Sequence, residues 1–404
     1  MSAMSGKSVA DPAHDGTRAV DLRRYSVDPV RGFLPREDPL CRLPDDFALW
    51  DEVGSELPKL LATQQVKTTL DRLPILDPSS LSGPALERAM LLLSFFGHGC
   101  VWEKWRDTIN TRVPASVAVP WYQAAQKLGR PPVLSYASYA LNNWRRIDES
   151  RPIDLGNIAL LQNFLGGLDE EWFVAIHVAI EARAAPALVA IERAQKAIAL
   201  DHSVTLDRNL QTIRSSLDAM YATLLRMPEN CDPYIYYHRV RPYIHGFSEN
   251  PVVYEGVEAY NGQPRAFFGE TGAQSTIIPA FDAALGIEHS GDELRVYLNK
   301  MRDYMPVGHR AFLARIEAGP SIRGYVLEHG DASLRDVYNA CVHLVEAFRA
   351  KHLEYAATYI HKQAQRGAYN TTHYGTGGTP FMKYLKKHRD ETEQHLMPAH
   401  TGTG

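Results

Sequence analysis

A histidine, His352, lies on the apolar stripe of a helix predicted from about Ser333 to Gln363, in line with Val337, Cys341, Leu344 and Phe348. These positions recur every three or four residues and so share one helical face. A neutral imidazole on such a face can be an axial ligand of haem iron. It can equally be a core side chain satisfied through its second nitrogen. Shortly after the helix comes Gly375-Thr376-Gly377-Gly378-Thr379, whose backbone donors and hydroxyls suit a mobile lid over a small polar ligand, or a plain surface loop. Together the two features point to a haem-iron pocket with a flexible lid. Ser333 with Asp336 three residues on has the layout of a capping box and sets the expected helix start. His343 and His361, each nine residues from His352, fall half a turn away and are expected on a solvated face.

Two further clusters carry candidate chemistry. Phe173, His177 and Ile180 share a face of a helix beginning near Asp169, in which Pro186 is expected to bend or interrupt the element. His177 can hydrogen-bond a substrate or oxygen on the distal side of an iron, or be a structural histidine. Arg241 sits among Tyr234, Tyr236, Tyr237, Tyr243 and Phe247, a fork inside an aromatic cluster that suits the carboxylate of an aromatic amino acid. The alternative is an amphipathic surface helix whose Arg239 and Arg241 pair with acids. Gly375 to Gly378 is not read as a phosphate loop, because no strand precedes it and neither GxxxxGK[ST] nor GxGxxG is present. HExxH, GxSxG and a convincing Cys-His pair are also absent, which favours chemistry supplied by a cofactor.

The elements that must position these residues are helical. The chain has 404 residues, 45% of them hydrophobic, enough for a large core. A net charge of -4 without basic tracts points to neither nucleic acid nor an anionic membrane as partner. Cys41, Cys100, Cys231 and Cys341 form no CxxC pair, which argues against zinc, iron-sulfur or a disulfide framework and fits a reducing cytoplasm. Met1 to Arg18 has no apolar h-region, and no later stretch is expected to span a bilayer. Strand alternation is almost absent, and helices are predicted at about 54–72, 84–97, 119–128, 134–146, 157–165, 169–199, 204–227, 234–245, 275–285, 292–303, 308–317, 333–363 and 380–394. The reading is all-α with two domains: an N-terminal arm over 1–40, a small helical domain over 41–160, and a large helical domain over 161–404 with a lid loop at 366–380.

Several segments resemble signatures of the indoleamine 2,3-dioxygenases, in a bacterial-type member. They are Val117-Ala118-Val119-Pro120, Pro131 to Ala137 leading to Asn143-Trp144, Ala273-Gln274-Ser275 leading to Phe281-Asp282, Met301 to Pro306, Gly330 to Arg335, and Gly375 to Thr379. Their order and spacing cover about Leu43 to Leu385. The resemblance implies a helical haem fold, haem b as cofactor, and insertion of both atoms of O2 across the indole C2–C3 bond of L-tryptophan or a related indoleamine to give N-formylkynurenine. An external electron donor would keep the iron ferrous.

Carried over residue by residue, the resemblance makes His352 the proximal iron ligand, places Arg349 at a haem propionate, and sets Asp282 behind the proximal histidine. Arg241 becomes the clamp on the substrate carboxylate; Phe173, Tyr136, Tyr139, Ala140 and Tyr236 line the indole pocket; Thr271 and Gly272 pack near the haem. Thr376, with Gly377 and Gly378, meets the amino acid head group from the lid. The chain departs from the animal pattern at His177 (there a serine), Tyr139 (there smaller), Tyr236 (there phenylalanine) and Glu270 (usually glycine). These changes leave open a substituted tryptophan as substrate and His177 as a distal iron ligand. A sister haem enzyme of secondary metabolism and a non-catalytic haem or tryptophan sensor remain as alternatives.

Overall fold

The computed structural model describes residues 21–291, 293–329, 331–365 and 381–398. Gly375 to Thr379, and with it the lid assignments of Thr376, Gly377 and Gly378, lies outside the described residues.

Helices dominate, as the all-α reading expects. The long ones are α1 (Ala48–Ala62), α2 (Gly83–Trp102), α3 (Ala115–Leu128), α4 (Leu168–Ala199), α5 (Ser203–Leu225), α6 (Ile277–Leu285), α7 (Glu293–Arg302), α8 (Val307–Glu317), α9 (Ile322–His329), α10 (Ala332–Ala356) and α11 (Phe381–Glu393). Among the described residues the strands are four two-residue pieces: β1 (Arg112–Val113) pairs in parallel with β4 (Val253–Tyr254), and β2 (Arg145–Arg146) antiparallel with β3 (Ile158–Ala159).

Two apolar cores meet along α4. The first surrounds α2, which is buried on all sides from Ala89 to Val101 and packs on Trp121 and Trp144. An all-round apolar helix of this kind must sit inside the protein. At Gly97 an added Cβ would lie 2.2 Å from the Trp121 ring, so only glycine permits this approach. The first core is not confined to 41–160: Tyr243, Phe247, Tyr254 and Met301 return to it. The second core lies between α4, α5 and α10, through Leu188, Ile191, Leu217, Val337 and Val345. Leu22, Val27 and Phe33 also enter it, so residues from 21 onward are packed on the body.

Local differences from the sequence reading have identifiable causes. The segment 157–165 is not a helix, because Asn143 and Gln162 exchange side-chain and backbone hydrogen bonds of 2.8 and 2.9 Å and so divert the ladder. Within 134–146 only Ala137–Leu141 is helical, as a π-helical turn, before the chain enters β2. α9 was not anticipated. Pro186 does not interrupt α4, whose buried Ala184, Ala185, Ala187 and Leu188 hold the helix by packing. α4 is also long and apolar enough to cross a membrane by composition, contrary to expectation, but 72% of its most apolar window is buried inside the protein. At α10 the cap is Asp331, whose carboxylate accepts the Leu334 N–H at 2.9 Å, rather than Ser333.

His98 on α2 shows what a core histidine looks like here. It is 0% exposed, with Nδ1 2.8 Å from the Tyr243 carbonyl oxygen and Nε2 accepting the Leu134 N–H at 3.0 Å. Burial pushes its pKa down to about 3, so the folded state keeps it neutral while the unfolded chain takes up a proton below roughly 6.5. Its contribution to stability is therefore lost as pH falls below that value, by up to about 1.4 kcal/mol per pH unit. Urea unfolding of wild type and His98→Gln between pH 7 and 5 should show a steeper decline for wild type; parallel curves would contradict this assignment.

Candidate functional site

Between α4, α6, α10 and α11 lies a cavity of about 280 Å³. α10 supplies Phe348, Arg349, His352, Tyr355 and Ala356, three or four residues apart on one face. Tyr359 and Ile360 continue the wall from a π-helical turn, Ala357–His361. Phe173 and His177 face in from α4, Ile278, Pro279 and Asp282 from α6, and Tyr384, Leu385 and His388 from α11. Tyr236 and the segment Glu270 to Ala273 complete the site, with Tyr297 and Leu298 of α7 beside them.

His352 is unlike His98. It has no hydrogen-bond partner among the described residues, and the surface it leaves accessible lies on the cavity wall. Although part of its surface is open to the cavity, desolvation by the surrounding protein, with the neighbouring His177, pushes its pKa down to about 4. It is thus a neutral imidazole with a nitrogen lone pair available to the cavity near pH 7, and it lacks the partners of a core histidine. His177 accompanies it from α4: its Nδ1 lies 2.7 Å from the Phe173 carbonyl oxygen. Because that oxygen can only accept, Nδ1 carries the proton and Nε2 is left as an acceptor. Burial lowers the pKa of His177 as well. His343 is exposed, whereas His361 is half-buried rather than fully solvated.

The residues expected around the indole separate into a wall and a layer behind it. Phe173, His177, Tyr236, Thr271 and Gly272 reach the cavity. Tyr136, Tyr139 and Ala140 are buried and do not line it. The Tyr136 hydroxyl donates to Glu181 at 2.8 Å and its ring stands edge-on to His177, while Tyr139 backs Phe173. Glu181 is fully buried, and burial pushes its pKa up to about 7. The Glu270–Gly272 segment is pinned by a tight backbone crossing, where an added Cβ on Gly269 would sit 2.2 Å from the Gly246 nitrogen. Gln274 fastens the same corner by donating to Gly269 and accepting from the Tyr136 N–H, at 2.8 and 2.9 Å. Burial pushes the Glu270 carboxyl up to about 8, so it is largely neutral at pH 7.

Arg241 is 0% exposed, does not line the cavity, and lies under the Tyr237 ring at 5.3 Å. It ends the π-helical turn Tyr236–Val240, in which the Arg241 N–H bonds the Tyr236 carbonyl oxygen. That i to i+5 step sets Arg241 on the same side as Tyr236. The surface-helix alternative for Arg241 is thereby excluded.

Asp282 differs from expectation. It makes no hydrogen bond to His352; its Oδ2 accepts from Arg349 at 2.6 Å and faces His289 Nε2 at 3.2 Å, while Oδ1 is buried without a partner among the described residues. Burial alone would raise its pKa, but Arg349 and His289 outweigh that and hold it well below the usual carboxylate range. Arg349, expected at a propionate, is likewise engaged by Asp282 and by the Thr392 hydroxyl, although it still lines the cavity. Asp282→Ala would strand a buried guanidinium, and the expected loss is about 3–5 kcal/mol in chemical denaturation; a loss below about 1 kcal/mol would show that the pair is effectively solvated.

Tyr355 and Tyr359 follow His352 at three and seven residues and were legible by extending the stripe. Leu224, Met227, Tyr297, Tyr384 and His388 carried no sequence signal. No group of three or more His, Cys, Asp or Glu suited to a metal ion occurs among the described residues. The donor set fits one iron in a flat macrocycle: a neutral imidazole without a partner among the described residues, aromatic walls, and a polar edge at Arg349 where Asp282 Oδ1 and His388 Nε2 have no partner among those residues.

The family model of indoleamine 2,3-dioxygenase matches residues 21–395. The chain is 34% identical to "Indoleamine 2,3-dioxygenase 1" of Rattus norvegicus over 95% of this chain and 97% of the relative. It is 32% identical to "Indoleamine 2,3-dioxygenase 2" of Homo sapiens over 94% and 96%. It is 33% identical to "Indoleamine 2,3-dioxygenase nanC" of Aspergillus nanangensis over 92% and 96%. With the cavity, its unbonded imidazole and a match along nearly the whole length, the chain belongs to the indoleamine 2,3-dioxygenase family of oxidoreductases.

Proposed function

We propose that the protein holds haem b through His352 and opens the indole ring of L-tryptophan, or of a closely related indoleamine, between C2 and C3 to give N-formylkynurenine. The observation that carries this reading is the neutral, unbonded imidazole of His352 in the cavity, with His177 close to it. When bound, the haem iron supplies the dioxygen chemistry, with an external donor keeping it ferrous.

The side chains have separable tasks. His352 offers a lone pair rather than a proton, because burial disfavours the imidazolium. Phe173 and Tyr236, whose ring centroids are 4.7 Å apart with the rings tilted by 39°, give an aromatic wall for an indole. His177 Nε2 can accept the indole N–H, and the bond of its Nδ1 to Phe173 fixes that tautomer. Arg241 takes the carboxylate of the amino acid, on the face it shares with Tyr236. The largely neutral Glu270 then sets no full negative charge against that carboxylate. Holding the substrate in one pose among these side chains would turn an encounter with dioxygen into an effectively unimolecular step. Thr376, Gly377 and Gly378 keep their proposed role as a lid that excludes water. The four free cysteines, three of them buried, agree with a reducing cytoplasm as the place of work.

The test is turnover of L-tryptophan by the reduced holoprotein under isotopically labelled dioxygen. The expected product is N-formylkynurenine with both added oxygen atoms labelled. One labelled atom, or a different indole product, would favour a sister haem enzyme; tight tryptophan binding without product would favour a sensor.

A further inference from the structure

His388 stands at the polar edge of the cavity without a role in the reading above. It projects from α11, and its Nε2 is buried with no hydrogen-bond partner among the described residues, an arrangement that costs free energy until a partner meets it. Its ring packs on His289 with centroids 4.4 Å apart. His289 in turn bridges Glu391 at 2.8 Å and Asp282 at 3.2 Å, and Asp282 is paired with Arg349. Burial pushes the His388 pKa down to about 3, and the cationic influence of Arg349 and His289 ranks above that of the two carboxylates. The neutral ring can carry its proton on Nε2 and donate it to an anion, with the Arg349 guanidinium on the same edge of the cavity. Arg349 lies one helical turn from His352, which puts this edge beside any macrocycle that His352 holds.

We propose that His388 is a carboxylate-holding residue of the cofactor site, its Nε2–H receiving an acidic side group of the tetrapyrrole beside Arg349. The inference rests on the haem reading and adds a contact that Arg349, already shared between Asp282 and Thr392, does not make alone.

The test titrates the full-length apoprotein with metal-free protoporphyrin IX and with its dimethyl ester, following porphyrin fluorescence. Without a metal, the bond from His352 drops out of the comparison. Wild type should bind the diacid about ten-fold or more tighter than the diester. His388→Leu should lose most of that ratio, and His388→Gln, which keeps an N–H donor, should retain it. A wild-type ratio near one overturns the proposal without recourse to any variant. So does a His388→Leu protein that keeps the wild-type ratio, or that weakens both porphyrins alike, as a packing role would. Failure of wild type to bind either porphyrin while it still takes up haem overturns this inference alone; failure to take up haem as well overturns the haem reading with it.

Discussion

His352→Ala is expected to fold and to lose haem. The imidazole makes no hydrogen bond among the described residues and faces the cavity, so its removal strands no partner there, and the fold should change by no more than about 1 kcal/mol. Its lone pair is the proposed bond to iron. After reconstitution and gel filtration, the variant should show no Soret band at a melting temperature close to wild type. Free imidazole, small enough for the space vacated, should restore the band in part. Retention of haem by His352→Ala with an unchanged spectrum would place the iron on another side chain, with His177 the first to examine.

Arg241→Ala is expected to keep haem and lose selectivity for the amino acid. Two charge-assisted hydrogen bonds to a carboxylate, each worth about 1.5–3 kcal/mol, correspond to roughly a hundred-fold or more in Kd for L-tryptophan. Tryptamine, which lacks the carboxylate, should bind wild type and variant alike. Because Arg241 is wholly enclosed and lies under Tyr237, some stability will also be lost, and the tryptophan-to-tryptamine ratio separates the two effects. Arg241→Lys should recover little, since a point charge cannot reproduce the fork. Equal weakening of both ligands would reduce Arg241 to a packing residue.

The helix that carries His352 was legible because its period is regular, and Tyr355 and Tyr359 would have followed from the same stripe. The true cap, Asp331, was not, since Ser333, two residues on, and Asp336, three further, mimic a better-known pattern. The π-helical turns at Ala137–Leu141, Tyr236–Val240 and Ala357–His361 were illegible in principle. Each adds a residue to a turn, a step that a 3.6-residue period does not register, and each adjoins the cavity or the side chains backing it. The meeting of His177 with His352, 175 positions apart, is likewise tertiary. The residues themselves offered His177 and Arg241 as separate candidates, and the resemblance joined them to His352 in one site. It placed Asp282 behind His352, whereas a guanidinium 2.6 Å away claims the carboxylate. His388 and Glu391 sit on a short C-terminal helix with little apolar pattern, so only the fold brings them to Asp282 and Arg349.

The most direct test is an absorption spectrum of the purified ferrous protein, taken with and without L-tryptophan and followed after air is admitted. The expected result is a Soret band that shifts with tryptophan, then growth of N-formylkynurenine absorbance. A protein that takes up no haem on reconstitution would contradict the assignment of His352 and of the cavity around it.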